Sequence, residues 1–80
     1  MNEYWEKLQE DIKETKAAVE DLNKHLEKIH NIQKITPYEY VEKHDELKQI
    51  ERELSNDLEY YELALEDLTR EECMYEYFCS

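Results

Sequence analysis

Apolar residues return along the first half of the chain at Trp5, Leu8, Ile12, Val19, Leu22, Leu26 and Ile29, with Thr15 in the one polar place of the series. The steps alternate between three and four for more than three repeats, which is the seam of a helix packed along another helix. Tyr4, Asp11, Ala18, His25 and Ile32 stand just ahead of the heptad positions and widen the stripe. A stripe that wide is expected when a helix meets more than one neighbour. A second series runs through Leu47, Ile50, Leu54, Leu58, Tyr61, Leu65, Leu68 and Tyr75. Two successive steps of four near Leu54 and Leu58 form a stutter that relaxes a left-handed supercoil locally. Ahead of Leu47, Tyr40, Val41 and His44 are expected to share the apolar work.

Between the two series lies Thr36-Pro37-Tyr38-Glu39, with the form Ser/Thr-x-x-Glu and a proline at the first helical place. The threonine hydroxyl is expected to accept the Glu39 amide and the glutamate to reach back, while Pro37 gives up an amide that has no helical partner there. Asn31 is the residue best suited to end the first helix. The chain is therefore expected to be one all-α domain over residues 1–80, an antiparallel two-helix hairpin of coiled-coil type. Helix 1 is expected at about 2–31, a connector at about 32–35 and helix 2 at about 36–76.

Folding back at that hinge sets Leu26 near Val41–Glu42, Val19 near Gln49–Ile50, Leu8 near Tyr60–Tyr61 and Trp5 near Leu63–Ala64. Helix 2 then outruns helix 1 by about three turns, leaving Asp67 to Ser80 as an overhang rich in aromatic residues. Tyr60, Leu63, Met74 and Phe78 lie about half a turn from the seam at 100° per residue, a second stripe that one hairpin cannot bury. Pairing with a second copy into a four-helix bundle is the expected outcome.

Composition narrows the function. The chain has no glycine, so phosphate-cradling loops and tight hairpin turns are nearly excluded. Its formal net charge is −12, which disfavours direct contact with nucleic acid or an anionic membrane and favours a basic protein surface. That charge is uneven: residues 1–35 hold 8 acids and 6 bases, whereas residues 36–80 hold 14 acids and 4 bases. Acids on one helix face recur at ~5–6 Å, close to phosphate spacing along a DNA strand. No basic, apolar leader and no window of transmembrane length is visible, so a cytoplasmic location is expected.

Candidate chemistry is thin. Cys73 and Cys79, six apart on a helix, point to different sides and lack the spacing of a zinc or redox pair. His25, His30 and His44 cluster toward the hinge, with His25 expected close to His44, yet they have no ligand spacing, so no metal is expected. Acid pairs such as Glu62 and Glu66 have no enclosing cavity, no nucleophile faces a base, and no cofactor motif is present. The chain is not expected to be an enzyme.

In size and hairpin shape the chain resembles the small bacterial phosphatases that act on phosphorylated sporulation response regulators. Their Ser-Gln-Glu-Leu-Asp motif is absent, and the nearest stretch, Glu51-Arg52-Glu53-Leu54-Ser55, ends in serine. Their activity is therefore not carried over. In size and charge it is also similar to small acidic inhibitors of bacteriophages and mobile elements, among them anti-restriction and anti-CRISPR proteins. The expected function is to bind and inhibit another protein by offering a DNA-like negative surface to a basic nucleic-acid groove. A homo-oligomeric scaffold and an antitoxin or immunity protein are the alternatives. Glu59, Tyr60, Tyr61, Glu62, Leu63, Glu66, Asp67, Tyr75, Tyr77 and Phe78 are the expected partner contacts.

Overall fold

A computed structural model describes residues 2–79, with the backbone alone described at Cys79. Two helices follow one another, α1 (Glu3–Ile35) and α2 (Val41–Cys79), and no strand occurs among the described residues. They lie antiparallel as a rod of 61 × 15 × 14 Å.

Asn2 starts α1. Its backbone is extended and its side-chain oxygen accepts the Trp5 amide at 3.3 Å, satisfying one of the amides that a helix start leaves unpaired. Glu3 and Glu6 in the first turn and Lys34 in the last suit the helix dipole. The helix does not stop at Asn31 but continues one turn to Ile35.

The reversal is also built differently from the sequence expectation. Thr36 ends α1 rather than opening α2. Its amide donates to the Ile32 carbonyl at 3.0 Å and its hydroxyl donates to the same carbonyl at 2.6 Å. Pro37 keeps the residue before it out of the helical region, so α1 cannot run on through Thr36, which sits at φ −83, ψ 124. Pro37 then accepts the Tyr40 amide at 3.1 Å in a turn, and Tyr40 accepts the His44 amide at 3.1 Å as α2 begins at Val41. No positive φ is used among the described residues, as a chain without glycine requires.

These shifts move the register. His44 meets Thr36, Glu51 meets His30 and Gln33, Glu72 meets Gln9, and Tyr75 meets Trp5 and Tyr4. Trp5 thus packs some three turns further along α2 than the expected Leu63–Ala64. The reason is additive: α1 is longer at its end, α2 starts later, and the point of reversal moves toward the C-terminus. The overhang expected from Asp67 onward does not form, because its residues as far as Tyr75 lie alongside the start of α1.

The core is thin. Among the described residues Leu8, Ile12 and Leu47 are the buried apolar ones, and no side chain is fully enclosed. Half-buried Trp5, Val19, Leu22, Leu26 and Ile29 continue the seam from α1, and Leu54, Leu58, Leu65 and Leu68 from α2. Thr15, the polar place in the seam, donates its hydroxyl to the Asp11 carbonyl at 2.7 Å, so packing it leaves no unpaired group. Ile50 and Tyr61 sit at the seam's rim, 42% and 38% exposed. Tyr40 and Val41, expected to continue the seam, face water instead, because they belong to the reversal and its first helical residue.

Candidate protein-docking surface

The outer face of α2 is fixed by the seam behind it. With Leu54, Leu58 and Leu65 turned to α1, Tyr60, Leu63, Met74 and Phe78 fall on the opposite side at 100° per residue. All four are exposed, as is Tyr77. Tyr60 and Tyr61 meet edge to face with ring centres 5.4 Å apart, and Tyr77 and Phe78 do the same at 5.4 Å. Edge-to-face pairing is a favourable arrangement of aromatic quadrupoles, and it holds each pair of rings as a unit on the surface.

Glu59, Glu62, Glu66 and Asp67 are exposed around these rings. Arg70 reaches back to Glu66 at 3.4 Å and to Asp67 at 3.6 Å, partly neutralising the acids at that point of the face. Glu62, Leu65, Glu66, Thr69 and Arg70 line a shallow groove of about 460 Å³ beside them. Exposed pairs of this kind contribute about 0.2–1 kcal/mol at most, so the acids remain available to an incoming cation.

Tyr75 belongs elsewhere. Its ring stacks on Trp5 with centres 5.1 Å apart and lies 5.5 Å from Tyr4. It closes the open end of the hairpin, a role the sequence reading missed once the register was set too early. Glu59–Leu63 with Glu66 and Asp67, and Tyr77 with Phe78, remain as two exposed groups on α2, separated by the stretch that holds Tyr75.

The histidines separate. His25 is exposed on α1, whereas His44 sits at the reversal with its Nε2 3.1 Å from the Thr36 carbonyl and 3.2 Å from that of Pro37. Its ring also stacks against Tyr38. His30 Nε2 lies 3.1 Å from a carboxylate oxygen of Glu51, and Gln33 donates to the other oxygen at 2.9 Å. Those hydrogen bonds, Gln33 first and His30 second, hold the Glu51 carboxyl below its ordinary value. Among the described residues no three of His, Cys, Asp or Glu are grouped as a metal would need. Cys73 is a free, exposed thiol; its relation to the Cys79 side chain lies outside the described residues.

The sequence reading gave the tip of the hairpin no surface of its own, placing Ile32 in the stripe of the first helix and Tyr40 and Val41 in the seam. Ile32, Ile35, Tyr38, Tyr40 and Val41 are all exposed there, Tyr38 by 94%. The signal was available: five large apolar residues within ten positions, next to a proline. No helix among the described residues is long and apolar enough to cross a membrane. No family model matches the chain, and the curated proteins and solved structures contain no match to it.

Proposed function

We propose that the chain is a non-catalytic binding protein of the cytoplasm that inhibits another protein through the outer face of α2. The observation that carries this reading is the exposed set Glu59, Tyr60, Glu62, Leu63, Glu66 and Asp67 on one continuous helix. Tyrosine supplies rigid contact area and a hydroxyl, the acids supply attraction over distance, and together they suit a basic protein surface. A groove that ordinarily holds nucleic acid is the basic surface whose occupation inhibits most directly. A toxic enzyme with such a groove would make the chain an antitoxin or immunity protein by the same physics.

The test compares capture by the native chain with capture by Glu59→Gln, Glu62→Gln, Glu66→Gln and Asp67→Asn combined. The retained protein should have a basic groove, bind the variant at least tenfold more weakly, and be released by competing DNA. An acidic partner, or one held equally well at high salt, overturns the reading.

A second reading is supported by a different surface. Tyr4 and Ile32 on α1 and Ile50 and Tyr61 on α2 are exposed along the rim of the seam. Tyr4, Leu8, Asp11 and Leu68 line one groove, so that flank of the seam draws on both helices. A second copy laid along it would complete a four-helix bundle, leaving the outer face of α2 free. Molar mass measured over a range of concentrations decides whether that homodimer forms.

A further inference from the structure

The homodimer just described admits two directions, and the inference here rests on that reading. In a four-helix bundle whose neighbouring helices all run antiparallel, the two reversals lie either at the same end or at opposite ends. With the reversals together, each α1 stands beside the partner copy's α2. With the reversals apart, α1 stands beside α1 and α2 beside α2. Packed helices approach to about 8–10 Å, so the second arrangement sets two strongly acidic helices side by side. Residues 36–80 hold 14 acids against 4 bases, while residues 1–35 hold 8 against 6, so only the first arrangement separates the two acidic halves.

The tip provides an independent observation. Ile35, Tyr38, Tyr40 and Val41 are exposed by 81%, 94%, 57% and 62%, four large apolar residues within seven positions. Within residues 34–43 the charges balance, Lys34 and Lys43 against Glu39 and Glu42, whereas α2 beyond them is acidic. Lys43 already reaches Glu46 at 3.6 Å along α2. A surface of balanced charge can meet its own image, because a twofold axis brings the lysines of one copy toward the acids of the other. Glu39, Tyr40, Val41, Glu42, Lys43 and Glu46 line a shallow groove of about 460 Å³, and Tyr38 just before them is exposed, so the tip carries both a recess and an exposed ring.

We propose that the tip is covered by the tip of a second copy: two hairpins lie side by side, pointing the same way, with their reversals together. The arrangement buries the tip and the seam rim in one interface and leaves the outer faces of α2 on the outside.

Direction is read by pulsed electron resonance between nitroxides on Glu39→Cys, in a chain carrying Cys73→Ser and Cys79→Ser. With reversals together, the labels should lie on the order of 20–30 Å apart, from helix spacings of about 8–10 Å plus the label arms. With reversals apart, they approach the rod length of 61 Å. Ile35→Asp with Tyr38→Asp should raise the dimer dissociation constant at least tenfold with helical circular dichroism unchanged, since both residues are exposed. Labels near the rod length overturn the direction while leaving the homodimer intact. A dimer with close labels that ignores the two aspartates overturns the role of the tip. A chain that stays monomeric at every concentration overturns the homodimer reading and this inference with it.

Discussion

The two ends of the hairpin hold similar residues and put them to opposite use. At the open end Tyr75 stacks on Trp5 and lies against Tyr4, Leu8 is buried, and Gln9 bonds Glu72 across the helices. At the hinge end buried Leu47 is the last covered residue, and Tyr38, Tyr40, Ile35 and Val41 face water. Composition does not separate the ends. Topology does, because an aromatic ring is buried only where a facing element exists, and residues of a reversal have no helix beyond them. The lesson is that apolar content near a turn predicts exposure more often than core in a fold of only two helices.

Truncating the two buried leucines should give the largest effect. Leu8→Ala and Leu47→Ala should each cost about 2–5 kcal/mol, a major share of the roughly 4–12 kcal/mol expected of a chain this size. Leu8, at 4% exposure against 9%, should cost more. Thermal unfolding followed by circular dichroism measures both; a larger cost at Leu47 would mean that the hinge end is the tighter of the two.

The aromatic rings should come next. Trp5→Ala should cost about 2 kcal/mol from lost burial and stacking, and a cycle with Tyr75→Ala should show coupling of about 0.5–1.5 kcal/mol. Tyr38→Ala at the other end should fall within about 0.5 kcal/mol of the native chain at concentrations where it is monomeric. Equal effects at Trp5 and Tyr38 would erase the contrast between the ends.

A smaller effect is expected at the reversal itself. His44 Nε2 donates toward the carbonyls that end α1, and His44→Ala should cost about 1 kcal/mol, the net worth of one such hydrogen bond. Hydrogen exchange should show the loss concentrated in amides on both sides of Pro37 rather than near Trp5.

The smallest effect is one of acidity, at Glu51. Its folded-state pKa lies below the ordinary 4.5, so its contribution is complete above that value and is lost as pH falls through the lowered one. Melting temperatures of the native chain and of Glu51→Gln should therefore differ at neutral pH and converge only as pH falls through that lowered value. A difference that persists there would show that Gln33 and His30 hold position without the carboxylate.

Both helices and their seam were legible in the sequence, because a step of three and four repeated over many turns has one physical meaning. The register was not. It depended on whether the Thr36 hydroxyl turned forward to the Glu39 amide or back to α1, and the extended backbone that proline imposes on the residue before it suits either use. Thr36 turned back to Ile32, and each cross-helix contact moved with it. Exposure of Tyr60, Leu63, Met74 and Phe78 was legible because it depends only on the period of α2. The placement of Tyr75 was not, because it depends on the register. Glu51, His30 and Gln33 carry no pattern of their own, and only the register brings them together.

The in-step ladder of contacts, from His44 at Thr36 to Tyr75 at Trp5, also sets an order in time. The first rung closes a loop of eight residues, which costs little chain entropy. Once α1 and α2 are in register there, the long-range pairing at Trp5 needs no separate search, so chain entropy favours pairing that starts beside Pro37 and closes toward the termini. On that account the aromatic stack of Trp5 and Tyr75 is a clasp at the far end of the rod, and hydrogen exchange should be faster near it in Tyr75→Ala than beside Pro37.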